Sequence, residues 1–180
     1  MPIGQAKFGL LGGDIGNLEL IETQTGSAVT SILFNDIKED IYNVHFMTMT
    51  NYSGTVLNTE ARIRFYESGS DYQRAHQVGN TSPNFTESKG TSDTSAIVCN
   101  LSDTATNDTA NGYNYFYNLG DSSKFSFNTM HSSSMRGVHY EFRFGSGVYN
   151  VEETINAIQI FSNSGSNFTG TISLYGIRNS

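Results

Sequence analysis

The fold is decided by residues 154–180, whose sequence is TINAIQIFSNSGSNFTGTISLYGIRNS. Apolar residues alternate with polar or mixed ones over residues 158–161 and again over residues 171–175. Successive side chains of a strand point to opposite faces, so each run predicts a strand with one buried face. The intervening residues 162–167 are small and polar around Gly165, which is typical of a chain reversal. We therefore predict a hairpin whose second strand closes a sandwich.

The same alternation recurs along most of the chain. Residues 61–67, for example, place Ile63 and Phe65 on one face and arginines on the other. The composition is rich in Gly, Ser, Thr, Asn and aromatic residues, which favours strands and turns over helices. About ten short strands separated by turns predict an all-β fold, an antiparallel β-sandwich. A jelly roll is the connectivity that we expect for it.

The chain is expected to divide into two parts of unequal size. Residues 1–27 are assigned to an N-terminal arm with the first short strands, including a candidate strand at 6–11, and residues 28–180 to a single β-sandwich domain. Residues 79–94 form the longest polar stretch and predict a surface loop. Residues 151–154 predict one short helical turn before the closing strands.

Composition also argues against several classes of function. The formal net charge is −7, and no block or stripe of Lys and Arg appears, which argues against nucleic-acid binding through phosphates. No apolar run approaches the ~20 residues that a membrane span requires, so we expect no membrane partner. The single cysteine, Cys99, excludes an intrachain disulfide, and its apolar neighbours Ile97 and Val98 predict a buried thiol.

Residues that could carry chemistry are scattered. Zinc sites need histidines or cysteines at characteristic spacings, and glycosidases need two opposed carboxylates. The four histidines, His45, His76, His131 and His139, fall on separate predicted elements. The acidic residues considered fall in turns or just before a strand, where exposure to solvent explains them without a catalytic role: Asp36, Glu39, Asp40, Glu152 and Glu153. We therefore expect no catalytic residue, no metal site, no cofactor and no enzymatic activity.

One aromatic row and one pair of methionines form the candidate site. Tyr113, Tyr115 and Tyr117 share one face of a predicted strand. Two alternatives remain open, because their rings either fill the core or line an interface or sugar-binding face. Met47 and Met49 lie on a predicted strand with two partly apolar faces, of which the second is either covered within the fold or meets another subunit. These five residues are the candidate interface or glycan face.

Four segments of the chain resemble small virion structural proteins of tailed bacteriophages, especially marine and cyanobacterial ones. One is the C-terminal pattern I-x-A-I-x-I-F-x-x-S-G-x-x-x-x-G-T-I-x-L-Y-G-I. The others are RIRFYESG at 62–69, NGYNYFYNLGDSSK at 111–124 and FRFGSGV at 142–148. The likeness runs from about residue 30 to residue 177 and so covers most of the chain.

The resemblance implies a structural protein of the virion, made in the cytoplasm of the host bacterium. A capsid decoration protein or a small tail or neck appendage protein is expected, which assembles with itself as a trimer and with other virion proteins such as major capsid or tail proteins. The alternative is a carbohydrate-binding receptor-recognition module of a tail fibre, whose partner is a host surface glycan. Because the family extends over capsid decorations, tails and fibres, the resemblance implies a class of role and not a position in the particle.

Overall fold

A computed structural model describes residues 18–65, 71–81, 85–102, 108–136 and 138–178 of the chain. These residues form twelve strands. The strands are β1 (Leu18–Val29), β2 (Ser31–Phe34), β3 (Val44–Gly54), β4 (Thr59–Phe65), β5 (Tyr72–Asn80), β6 (Thr86–Asp93), β7 (Ala96–Ser102), β8 (Ala110–Tyr117), β9 (Phe125–Arg136), β10 (His139–Glu152), β11 (Ile158–Ser162) and β12 (Phe168–Ile177). In this part of the chain, no helix has the length and hydrophobicity needed to cross a membrane.

The strands form two antiparallel sheets that pack face to face. The larger sheet has eight strands in the order β1-β12-β3-β8-β9-β10-β5-β6, and the smaller has four in the order β2-β11-β4-β7. Their facing sides supply one core, which includes Leu174 from the larger sheet and Ile63 and Phe65 from the smaller. Cys99 on β7 is also buried there, as predicted. The antiparallel β-sandwich is confirmed, while the jelly-roll connectivity stays a prediction.

The C-terminal strands are present, but they do not pair with each other. β11 pairs with β2 and β4 in the smaller sheet, whereas β12 pairs with β1 and β3 in the larger sheet. The predicted hairpin is therefore wrong, and the connection carries the chain from one sheet to the other. Gly165 makes the reversal at φ +66°, and its N–H donates to the Ser162 carbonyl at 3.0 Å. β12 is an inner strand of its sheet, not an edge strand.

Two local predictions are wrong. The polar stretch 79–94 was expected to be a loop, yet it contains the whole of β6, which pairs with β5 at the edge of the larger sheet. Backbone hydrogen bonds form an edge strand whatever its side chains are, and the side chains of β6 are mostly exposed. The helical turn expected at 151–154 is also absent, because β10 runs on to Glu152.

The N-terminal boundary falls inside a strand. Residues 18–27 belong to β1, which pairs along most of its length with β12 and so forms one edge of the larger sheet. Hydroxyl pairs connect the two strands, with Thr23 Oγ1 2.8 Å from Ser173 Oγ and Thr25 Oγ1 3.0 Å from Thr171 Oγ1. The candidate strand at 6–11 lies outside the described residues.

Candidate interaction face

The tyrosine row lies on the outside of the larger sheet. On β8 the side chains of Asn114 and Phe116 are buried, so the alternate residues Tyr113, Tyr115 and Tyr117 point away from the core. Tyr113 is 42% exposed, and Tyr115 and Tyr117 are half-buried. Of the two alternatives that the sequence left open, the structure therefore supports the surface one.

Met47 and Met49 do not belong to this surface. Both side chains are buried in the core, at 0% and 1% exposure, against the smaller sheet. The outward residues of β3 are instead Phe46 and its alternate neighbours. The prediction that the methionines line an interface is therefore wrong. It could not be avoided from the sequence, because β3 is apolar on both faces and alternation alone does not tell which face is inside.

The outward residues of six neighbouring strands define what we call the outer face. Each alternates along its strand with residues that face the smaller sheet. The outer face consists of Thr171, Ser173 and Tyr175 on β12; Val44, Phe46, Thr48 and Thr50 on β3; Tyr113, Tyr115 and Tyr117 on β8; Phe127, Thr129, His131 and Ser133 on β9; Tyr140, Phe142, Phe144, Ser146 and Val148 on β10; and Gln73, Ala75, Gln77 and Gly79 on β5.

The tyrosine ridge is the row Tyr113, Tyr115 and Tyr117 on β8. Phe46 on β3 supports it, with its ring centroid 4.8 Å from that of Tyr115 and 6.0 Å from that of Tyr113. On the other side, the rings of Tyr113 and His131 meet edge to face at 5.6 Å. These ring contacts pack the side chains against one another, so the ridge presents apolar rings that carry polar hydroxyl groups.

The phenylalanine ridge is the row Tyr140, Phe142 and Phe144 on β10. The Phe142 and Phe144 rings lie 6.2 Å apart and parallel to within 6°, and Phe85 meets Phe142 edge to face at 5.8 Å. Gly79 on β5 makes room for this ridge, since a Cβ at that position would come within 2.5 Å of the Phe142 ring. Phe144 is 42% exposed, so the top of the ridge faces solvent.

Between the two ridges, the outward row of β9 is uneven in height. Phe127 and His131 are exposed, whereas Thr129 is short and, together with both ridges, lines a shallow groove of about 820 Å³. Beyond the phenylalanine ridge, Ala75 and Gln77 on β5 border a second groove of about 370 Å³, which charged residues of β6 also line.

The outer face carries no formal charge from acids or strong bases. None of its residues as defined above is Asp, Glu, Lys or Arg, although the chain has a net charge of −7. Charges begin at the margin, where Glu87 and Lys89 on β6 form an exposed ion pair at 3.7 Å. An uncharged centre with a charged margin is the usual composition of a protein–protein interface.

The histidines stay apart in the fold. They lie on β3, β5, β9 and β10, and among the described residues no three His, Cys, Asp or Glu side chains form a group that could hold a metal ion. His45 is buried, with Nε2 2.8 Å from the Ile37 carbonyl oxygen, and burial lowers its pKa although this hydrogen bond opposes the change. His131 belongs to the outer face, and His139 Nδ1 lies 3.3 Å from Thr81 Oγ1.

The buried carboxylate of Glu60 was missed by sequence reasoning. Glu60 on β4 is buried between the sheets and accepts hydrogen bonds at 2.8 Å from Arg143 on β10 and from Arg62 on its own strand. Burial alone raises the pKa of Glu60, but the two guanidinium groups outweigh it and lower the pKa below its usual value. Glu153, by contrast, accepts the Tyr149 hydroxyl hydrogen at 2.8 Å near the surface.

A buried imidazole completes the polar layer around this ion pair. His76 on β5 is 4% exposed, and neither ring nitrogen has a hydrogen-bond partner among the described residues. Burial, together with Arg143 and Arg74, lowers its pKa to about 4. Arg74 is itself paired with Asp93 on β6. The Glu60–Arg143 pair connects the two sheets, and the imidazole of His76 stays neutral because its pKa is lowered. Both features fit a structural role.

No protein-family model matches this chain, and neither does any curated protein or solved structure. The chemistry of the outer face and the resemblance described above are therefore the basis for a functional proposal.

Proposed function

We propose that this protein is a structural component of a tailed-bacteriophage particle, either a capsid decoration protein or a small tail or neck appendage protein. It acts by assembly with itself and with other virion proteins, not by catalysis. One observation carries the proposal: an uncharged outer face, with two exposed aromatic ridges, occupies one side of the sandwich.

The relief and composition of this face support a role in protein contact. Monomeric soluble proteins rarely expose contiguous apolar patches larger than a few hundred Å². Interfaces are enriched in Tyr and Phe and depleted of Lys, Glu and Asp at their centres, as this face is. The acidic residues that the structure describes lie outside this face, so copies can approach through this side with little repulsion.

The resemblance to virion proteins supplies the biological setting of the proposal. Residues 111–124, one of the segments that carry the resemblance, include the whole tyrosine ridge, and residues 142–148 include most of the phenylalanine ridge. Two of the four segments that resemble phage proteins thus coincide with the two aromatic ridges of the face. A trimer is what the family implies for the assembly.

The proposal is tested on particles purified from the phage that encodes this chain. Quantitative mass spectrometry of the virion proteins is expected to find the chain at a fixed copy number relative to the major capsid or tail protein. Particles that lack the chain after gradient purification would contradict the proposal.

A second candidate function is supported by the groove between the ridges. Its aromatic walls and the hydroxyl groups of Thr129 and the tyrosines suit a sugar, because sugar rings stack on aromatic faces and hydrogen-bond to polar tips. As a receptor-recognition module of a tail fibre, the protein would bind host surface glycans on an array. Tyr115→Ala should then abolish binding while Phe161→Ala, on the smaller sheet, preserves it.

A further inference from the structure

We propose that the outer face binds an uncharged linear oligosaccharide, which lies across the strands and not along them. The ligand occupies what we call the cross-strand trough, whose floor is Thr129, Ser146 and Ala75. The inference deepens the second candidate function and rests on it, since it names the chemical class, the extent and the orientation of the ligand. It does not depend on where the chain lies in a virion.

The floor of the cross-strand trough is one row of small side chains on three neighbouring strands. Thr129 on β9 lies opposite Ser146 on β10, and Ser146 lies opposite Ala75 on β5; all three are exposed. The row ends against Tyr115, opposite Thr129 on β8, and against Lys89, opposite Ala75 on β6. Since neighbouring strands are ~4.8 Å apart, the four spacings from β8 to β6 make the trough roughly 19 Å long.

Larger side chains form a wall on each side of this floor. Alternate residues of a strand are ~6.8 Å apart, so each wall row lies about that distance from the floor. Both walls are aromatic at the β8 end and carry an amide at the β5 end. Read from β8 to β5, the rows are Tyr113, His131, Phe144 and Gln77 on one side, and Tyr117, Phe127, Val148 and Gln73 on the other.

Three shallow grooves of the outer face meet in this trough. The groove of about 820 Å³ extends from Tyr115 to Ser146, and a groove of about 400 Å³ contains Ser146 as well as Ala75. The groove of about 370 Å³ shares Ala75 and Lys89 with the latter. The depression is therefore continuous from β8 to β6.

The side chains of the trough suit a sugar. Tyr113 and Phe144, each 42% exposed, present rings on which the apolar face of a sugar ring can stack. Thr129 and Ser146 supply hydroxyl groups on the floor, and the wall amides both donate and accept hydrogen bonds, as sugar hydroxyl groups do. A few polar groups in a mainly apolar groove are the usual composition of a ligand site.

The floor favours a sugar over an extended polypeptide. The strands β9, β10 and β5 each have a neighbour on both sides, so their backbone N–H and C=O groups pair within the sheet. Extended peptides instead add to sheet edges, where main-chain groups are free to bond to them. A peptide in the trough would bury its backbone against side chains alone, and each unpaired N–H or C=O group would cost free energy.

The distribution of charge favours a neutral ligand. None of the floor and wall residues is Asp, Glu, Lys or Arg. Lys89, at the β6 end, lies 3.7 Å from Glu87, so this pair adds no net charge. The net charge of −7 repels acidic polysaccharides, and the floor and walls supply no Lys or Arg to offset that repulsion.

Titration calorimetry of the purified full chain tests the proposal with linear tetrasaccharides of glucose, mannose, galactose and N-acetylglucosamine. The chain is kept dilute and monomeric, because the proposed protein contacts use the same face. At least one tetrasaccharide is expected to bind about tenfold or more tightly than its monosaccharide does, since the ligand extends along the trough. The tetrasaccharide of galacturonic acid is the anionic probe and should bind more weakly than the neutral ligand.

Two variants fill the floor, and a third is their matched control. Ser146→Tyr and Ala75→Tyr are each expected to raise the dissociation constant about tenfold or more, because the added ring occupies the place of the ligand. Thr50→Tyr adds the same ring at an exposed outer-face residue on β3, away from the trough, and should change the constant less than about twofold. Circular dichroism and urea unfolding should show a native fold for all three.

The outcomes separate this inference from the functions on which it builds. Binding that Tyr115→Ala abolishes but both filled variants keep would overturn the cross-strand trough and leave the second candidate function intact. Tighter binding of the galacturonic acid probe, or equal affinity for a tetrasaccharide and its monosaccharide, would also overturn the trough. If no neutral probe binds, the trough and the second candidate function fail together. The virion role fails only when purified particles lack the chain.

Discussion

Glu60 is the residue whose environment departs most from expectation. Its carboxylate joins the sheets through Arg143, which is 5% exposed and, among the described residues, forms an ion pair with Glu60 alone. Removing one partner of a buried ion pair strands the other charge, which typically costs about 3 kcal/mol or more. Glu60→Gln is therefore expected to lower the free energy of unfolding, measured with urea at neutral pH, by that amount.

The control for this variant is Glu87→Gln. Glu87 pairs with Lys89 on the surface, where both side chains are more than 70% exposed. Exposed ion pairs contribute little, so this change should alter the free energy of unfolding by less than about 0.5 kcal/mol. Equal effects of the two substitutions would mean that the Glu60 bridge does not connect the sheets as described.

His76 predicts an acid-sensitive stability. Its pKa in the folded protein is about 4, lowered by burial and by Arg143 and Arg74, against an ordinary value of 6.5. The unfolded chain therefore takes up the proton first, and stability is lost as the pH falls below 6.5. From pH 7 to pH 5 this loss amounts to about 2 kcal/mol. The lowered pKa of His45 adds to the loss in the same direction.

Urea unfolding of His76→Gln between pH 7 and pH 5 isolates this effect. The variant should lose clearly less stability over that interval than wild type does, because it has no proton to take up at residue 76. Glu60 does not affect this comparison. Its pKa in the folded protein is lowered, so its contribution to stability is lost only when the pH falls below its ordinary pKa of 4.5. A variant with the same pH dependence as wild type would show that the imidazole is not held neutral by its surroundings.

At the scale of elements, the pairing of β10 with β5 depends on a close approach at Gly145. Gly145 lies opposite His76, and a Cβ there would fall 2.4 Å from the Ala75 carbonyl oxygen and 2.6 Å from the His76 ring. Gly145→Ala is expected to reduce the free energy of unfolding by about 2–3 kcal/mol, since a packed site must shift to admit a methyl group. Chemical denaturation checks the value.

Gly165→Ala is the matched comparison. No atom of the described residues lies within 4 Å of a Cβ at this turn, so the cost is that of the left-handed backbone at φ +66°, about 1 kcal/mol. Gly165→Asn should cost less, since Asn tolerates that conformation. A smaller effect at Gly145 than at Gly165 would contradict the close approach of β5 and β10.

The sequence predicts strands wherever one face is buried and the other is not. Ile63 and Phe65 on β4 were correctly placed inside because arginines separate them. The all-polar β6 could not be recognised, since an edge strand with both faces exposed has no alternation. The C-terminal pair shows the same limit, because alternation fixes which face is buried but not which strand lies alongside.

From the sequence, the tyrosine ridge could be predicted as part of the candidate site, but the other aromatic residues of the outer face could not. Tyr113, Tyr115 and Tyr117 stand out as a row, but Phe46 and Phe144 join them only through the strand order β3-β8-β9-β10. Met47 and Met49 were mistaken for surface residues because Phe46 alternates with them and is equally apolar. Neighbours that are distant in sequence become neighbours in space only once the pairing is known.

For the whole molecule, the two outward sides of the sandwich differ in charge. The smaller sheet presents Arg64, whose guanidinium lies 4.9 Å over the Phe161 ring, whereas the outer face of the larger sheet is uncharged. Self-association through an uncharged face should therefore tighten modestly when salt screens the net charge of −7. Sedimentation at about 50 mM and 500 mM NaCl checks this, and an assembly that dissociates at high salt would point to an ion-paired interface instead.

The central claim is that the outer face of the larger sheet is where this protein meets protein. Hydroxyl-radical footprinting of the full chain, read by mass spectrometry as dilution shifts it from assembled to monomeric, tests that claim most directly. Tyr113 and Phe144, each 42% exposed in the single chain, should be protected in the assembled protein and reactive in the monomer, while Leu57 reacts equally in both. Equal reactivity of Tyr113 and Phe144 in the two states would contradict the account.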